Sequence, residues 1–177
     1  MRRAVILLVV TALLMAPSFG AANPNGVGDG TFDAQCGGAC HGDADMNRTS
    51  ASTVSLDVPA EVYEGLLTSV SVTVTGVQTT STGMLGIFLL SDVTGAEDTP
   101  EDDGWTIVSN SEGGAENYVE VIVAPGVTQY SVDWTLRAPS VGAYDLHAAV
   151  HHGAEDGNGA PFFGVSDAPV TVNVQAV

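Results

Sequence analysis

Residues 130–148 read YSVDWTLRAPSVGAYDLHA. Tyr130, Val132, Trp134 and Leu136 alternate with Ser131, Asp133, Thr135 and Arg137, and the same period of two returns at Tyr144, Leu146 and Ala148. Successive side chains of a strand point to opposite faces, so each run predicts a half-buried antiparallel strand. Pro139 and Gly142 interrupt the pattern between them. A tyrosine at the start of a strand, just after a proline-containing corner, is how immunoglobulin-like sandwiches tie that corner down through the phenolic hydroxyl.

The same texture extends in both directions. Val54, Leu56 and Val58 alternate with Thr53, Ser55 and Asp57; Val70, Val72 and Val74 alternate with Ser69, Ser71 and Thr73. Met84 to Leu90 (MLGIFLL) is a nearly continuous apolar run that suits a central strand. Trp105 to Val108, Tyr118 to Val123, Tyr144 to Val150 and Val165 to Val174 supply further strands, with Pro59, Pro125, Gly126 and Pro139 at the joints. No stretch has a helical period. The expectation is an all-β fold, an antiparallel immunoglobulin-like β-sandwich of 7–8 strands over residues 53–177, preceded by an irregular segment. Residues 92–104 (DVTGAEDTPEDDG) are expected to form an acidic hairpin loop. Their carboxylates are calcium-like in chemistry but lack the EF-hand spacing, and the solvated-loop reading is adopted.

Residues 1–22 read as a signal peptide: Arg2 and Arg3 precede an apolar core from Ala4 to Ala16, and Gly20-Ala21-Ala22 forms a small-residue cleavage site. The expected mature chain is secreted or periplasmic, with no stable membrane span, because the apolar run is shorter than a span needs. After cleavage only Arg48 and Arg137 face the 21 acidic residues, a net charge of −19. Such a surface repels nucleic acid and anionic membranes, and no nucleic-acid partner is expected. It is similar to the acidic surfaces of proteins from high-salt organisms.

Residues 23–52 are rich in glycine and asparagine and hold both cysteines, in Cys36-Gly37-Gly38-Ala39-Cys40-His41. The c-type haem attachment signature is C-x-x-C-H, in which two thiols bond the haem and the adjacent histidine ligates its iron. Here the spacer is three residues, and its two glycines can absorb the extra one. Two other chemistries compete: a local Cys36–Cys40 disulfide, worth about 2 kcal/mol for so small a loop, and a Cys/Cys/His metal site. Export makes a free thiol pair unfavourable. A blue-copper site is excluded because no histidine precedes the pair and only a single cysteine would be needed. Covalent attachment uses Cys36, Cys40 and His41 together, so one covalent haem c is the cofactor expected.

A haem iron takes one further axial ligand. His147, His151 and His152 cluster at the end of one strand. If Leu146, Ala148 and Val150 face the core, His147 and His151 share the opposite face, separated by about 13 Å in an extended strand. That separation prevents one metal ion from binding both. His151 is the first choice as sixth ligand and His147 the second; His152, Met46 and Met84 remain alternatives, as does a histidine cluster that is a solvated or weakly metal-binding surface.

With these residues in hand, the chain resembles exported β-sandwich domains related to the Reeler domain. The likeness rests on Cys40-His41-Gly42 ahead of the first strand, on Trp134 to Pro139 (WTLRAP), and on His147-Ala148-Ala149 leading to Gly157-Asn158-Gly159, where the relatives carry Tyr-Ala-Ala and then Asn-Gly-Asn-Gly. The longer cysteine spacer and the absence of a following anchor depart from that pattern. The resemblance implies an exported domain with haem c and fixes no reaction. No Ser/His/Asp or paired-carboxylate arrangement stands out, so the chain is read as no enzyme but as an electron carrier with an unidentified redox partner protein. The alternative is a redox-silent surface or adhesion module in which Cys36–Cys40 is a disulfide.

Overall fold

The computed structural model describes residues 50–59, 61–77, 83–93, 99–152, 162–166 and 168–177. Among these residues ten strands form two sheets: β1 (Thr53–Asp57), β2 (Val62–Tyr63), β3 (Leu67–Thr75), β4 (Gly83–Leu90), β5 (Thr106–Asn110), β6 (Tyr118–Val123), β7 (Gln129–Arg137), β8 (Gly142–His152), β9 (Phe162–Val165) and β10 (Val170–Gln175). One sheet has the order β1-β3-β7-β5; the other has the order β2-β10-β8-β4-β6, with β9 also paired to β8. All pairings are antiparallel except β2 with β10. Antiparallel all-β architecture with two packed sheets is therefore what the alternation predicted.

The core lies where the period of two places it. Val70, Val72 and Val74 of β3 and Val132, Trp134 and Leu136 of β7 meet Leu85, Ile87 and Leu89 of β4, Leu146, Ala148 and Val150 of β8, and Val172 and Val174 of β10. The polar alternates of β3 and β7 face outward, where Thr73 and Ser131 hydroxyls bond each other at 2.8 Å. The corner after β7 is closed as expected: the Tyr144 hydroxyl donates to the Ser140 carbonyl at 3.0 Å, and the Tyr144 ring meets Trp105 edge-on at 6.0 Å.

Three local expectations are corrected. Residues 92–104 do not close a hairpin. Both edges of β4 are occupied, by β6 and β8, so the chain leaves that sheet and enters the other as β5. The crossing carries a 3-10 turn at Pro100–Asp103, and the Asp102 carboxylate accepts from the Thr99 amide at 3.0 Å and the Thr99 hydroxyl at 2.7 Å. Secondly, the strand expected over Trp105–Val108 begins at Thr106 and runs to Asn110, with a bulge between Ile107 and Ser109; Trp105 is a buried anchor before it. Thirdly, Val165 to Val174 is two strands. β8 is 11 residues long, and along one of its edges β10 pairs with Gly142 to Leu146 while β9 pairs with Ala149 to His152. Pro169 sits at the break, where a residue without an amide hydrogen cannot continue the ladder.

Candidate functional site

Where β4 meets the second half of β8, the sheet buries apolar side chains on both faces. Its inner face belongs to the core above. On its outer face Phe88, Leu90 and Ala149 form a second cluster, each with 0% exposure, joined by Val93 and Tyr118. Strand register arranges this face in rows. Tyr118, Phe88, Ala149 and Val165 form one; Glu120, Gly86 and His151 form the next; Leu90 and His147 are paired on the far side of the first. His147 and His151 therefore flank Ala149 on the face opposite the core, as the alternation predicted.

The two histidines differ in setting. His147 is half-buried, whereas His151 is 8% exposed. The His151 ring lies across its register partner Gly86: a Cβ added at position 86 would collide with Nε2 and Cδ2 of the ring. Phe88 meets the same imidazole edge-on at 5.3 Å and 89°, and stacks on Tyr118 at 5.9 Å. Gly86 thus has a reason to be glycine, since only an absent side chain leaves the ring room to lie flat on the strand. The burial of His151 excludes the solvated-cluster reading for this residue, and His152 is buried as well.

His152 points to the other side of the sheet end. Its Nε2 shares a buried hydrogen bond of 2.8 Å with the Ser50 hydroxyl, which also accepts from the Ser52 amide at 3.0 Å. Gly164 admits Ser50 closely: a Cβ there would sit 3.1 Å from the Ser50 Cβ and 3.2 Å from Val150 Cγ1. The chain is therefore fastened to the end of β8 directly after the cysteine-bearing segment, one residue from His151.

Cys36, Cys40, His41 and Met46 lie outside the described residues, as does the 1–22 segment. Met84 is on β4, in register with Ile122. Among the described residues no three metal-binding side chains come together, and no helix is long and apolar enough to cross a membrane.

No protein-family model matches this sequence, and no curated protein matches it significantly. Among solved structures the chain is similar to a CARDB domain from Pyrococcus furiosus crystallised with di-metal ions, at 13% identity over 73% of this chain and 96% of that one, with a TM-score of 0.39. It is similar also to the human F-spondin reeler domain, at 16% identity over 72% and 92%, TM-score 0.39, and to an ASH/PapD-like domain of human CEP192, at 10% identity over 71% and 85%, TM-score 0.36.

The outer face answers in part to what a haem requires. Its apolar surface and the imidazole within it suit a macrocycle and an axial donor. The placement of the ring does not: Nε2 and Cδ2 of His151 occupy the space over Gly86, so ligation through Nε2 requires the ring to leave the Gly86 niche. His147 is not held in this way. The sequence reading missed two residues that shape the site. Gly86 was visible as a single glycine inside MLGIFLL, a signal of close approach; Ser50 carried no signal, because a lone serine before a strand is ordinary.

Proposed function

We propose that this chain is an exported, Reeler-like β-sandwich that carries one haem c on Cys36 and Cys40, with His41 as its axial histidine, and passes single electrons without turnover of its own. The observation that supports this reading is the fastening of Ser50 to His152. Ser50 follows His41 by nine positions, which limits the His41 Cα to about 30 Å from Ser50. The strand end that carries His151, beside an apolar face already withdrawn from water, is thereby within reach of the cysteine motif.

In this reading the residues of the chain have separate tasks. Cys36 and Cys40 supply thiols that hold the group covalently, and His41 offers a nitrogen on one side. His151, or else His147, is the donor proposed for the other side. Phe88, Leu90 and Ala149 exclude water, which lowers the local dielectric and so helps to set a potential. The haem supplies the one-electron chemistry when bound.

Protein from a host with cytochrome c maturation tests this directly. The expected result is a Soret band and haem-linked peroxidase staining that survives denaturing electrophoresis, both lost in Cys36→Ser and Cys40→Ser. A matured product without a Soret band, and with a mass two hydrogens below that of the reduced chain, would reject the proposal in favour of the disulfide-bonded surface module.

A further inference from the structure

Among the described residues the two sheets have five edge strands, and they are not equally protected; β9, paired with β8 alone, is four residues long. β2 is two residues long. β5 is interrupted by its bulge, and β1 ends on Asp57 after five residues. β6 is different: Tyr118-Val119-Glu120-Val121-Ile122-Val123 is six residues with one charge, and among the described residues it pairs with β4 alone. Every second backbone unit of such a strand presents its amide and carbonyl away from the sheet. Natural sheets usually blunt an edge of this kind with lysine, proline, a bulge or a short strand, because it is a template for another strand. Here Ile122 is 73% exposed beside it.

The start of β6 opens onto a cavity of about 320 Å³ whose lining includes Asn110, Glu112, Gly114, Glu116, Tyr118 and Glu120. Its wall is preformed. The Asn110 side chain accepts from the amides of Glu112 at 3.1 Å and Gly114 at 2.9 Å. Trp134 Nε1 donates to the Glu116 carbonyl at 2.9 Å, and the Tyr130 hydroxyl donates to Glu112 Oε1 at 3.0 Å. Among the described residues Arg137 is the only Lys or Arg, and its guanidinium is engaged elsewhere, on the Gly65 carbonyl at 2.8 Å. Among the described residues, three carboxylates therefore line the approach to an edge with no second strand and no cation to offset them.

We propose that β6 is a strand-addition site for an extended segment of a basic partner protein. The backbone of the segment continues the ladder beyond β6, and its lysine or arginine side chains fall beside Glu112, Glu116 and Glu120. Backbone bonds supply affinity in this mode and side-chain chemistry supplies choice. A second copy of this chain is the wrong occupant: its net charge is −17, and edge-to-edge pairing would set like charges against each other. The site is independent of any haem.

The test uses the full secreted chain and three fluorescent octapeptides. One alternates threonine and lysine, one alternates threonine and glutamate, and one is the threonine–lysine peptide with two central prolines. The first is expected to bind by anisotropy and to slow hydrogen exchange of alternate β6 amides; the second should not bind. The proline peptide keeps the charge but cannot form a ladder, and should bind at least about tenfold more weakly. The double reversal Glu116→Lys with Glu120→Lys should weaken the first peptide by about tenfold. Equal binding of the proline peptide would overturn the proposal in favour of unstructured charge attraction. So would protection confined to another edge, or dimerisation of the unliganded chain through β6. Exchange on the unmodified chain decides the matter even if the double variant misfolds.

Discussion

The two faces of β4 are both dry, but they are built differently. Toward the core, Leu85, Ile87 and Leu89 interdigitate with aliphatic residues of the opposite sheet. Toward the outside, Gly86, Phe88 and Leu90 meet an imidazole, a tyrosine and an alanine. The inner face of β4 adds three aliphatic side chains to the common core, which also holds Trp134. The outer face depends on particular shapes, above all on a missing side chain at position 86. This explains why MLGIFLL is a nearly unbroken apolar run in an antiparallel sheet, where one polar face is the usual arrangement. It also marks the outer face as the place where something other than core packing has shaped the sequence.

The first way to break that comparison is to cut one large side chain from each face. Trp134 is wholly buried between the sheets and Phe88 is wholly buried outside them. Truncating a buried Trp or Phe to alanine costs about 3–5 kcal/mol. Trp134→Ala and Phe88→Ala should therefore lower the denaturation midpoint by similar amounts, with Trp134→Ala the larger because it also removes the shorter of two hydrogen bonds to the Glu116 carbonyl, leaving that from Asn110 at 3.5 Å. If Phe88→Ala costs under about 1 kcal/mol, the outer face behaves as ordinary surface and loses its standing as a site.

The second measurement sharpens the contrast at its most specific point. Gly86→Ala inserts a methyl group where the His151 ring lies, and overpacking of this kind typically costs about 1–3 kcal/mol. His151→Ala removes the obstacle. The double variant should recover most of the loss caused by Gly86→Ala, a coupling measurable in a double-mutant cycle. Additive penalties would mean that the ring does not occupy the niche in solution.

The sandwich was legible because alternation is a physical consequence of burying one side of a strand: Val70, Val72 and Val74 could hardly be read otherwise. Tyr144 was legible for a similar reason, since a corner needs a tether and the phenol supplies one. The hairpin expected at residues 92–104 failed because no local pattern records that both edges of β4 are already taken. The split of the last strand into β9 and β10 was signalled only by Pro169. At the candidate site, the alternation of β8 sufficed to put His147 and His151 on one face. It could not show that His151 would fold onto Gly86, because that depends on a cross-strand partner some sixty residues away in sequence. Nor could it show that Ser50 would fasten the chain to His152, a contact 102 residues apart.

The smallest expected effect lies at the rim of the outer face, where Glu120 shares a row with Gly86 and His151. Partial burial raises its carboxyl above the usual carboxylate range. The folded chain then holds this proton to a higher pH than the unfolded chain does. Stability contributed by the group is greatest where both states are protonated and is lost as pH rises from the ordinary glutamate value, about 4.3, through the higher folded value. Glu120→Gln carries no charge to desolvate, so it should be more stable than the parent at pH 7. The gain should be at most about 0.5 kcal/mol, since the side chain is only half-buried and solvent still screens it. Urea midpoints of parent and variant should converge below about pH 3.5, where the parent carboxyl is protonated in both states. A variant less stable than the parent at pH 7 would reverse the sign, and would mean that the carboxylate has a cationic partner. On this face the group nearest in register is His151, across Gly86, so that outcome would identify a charged imidazole where an apolar niche is described.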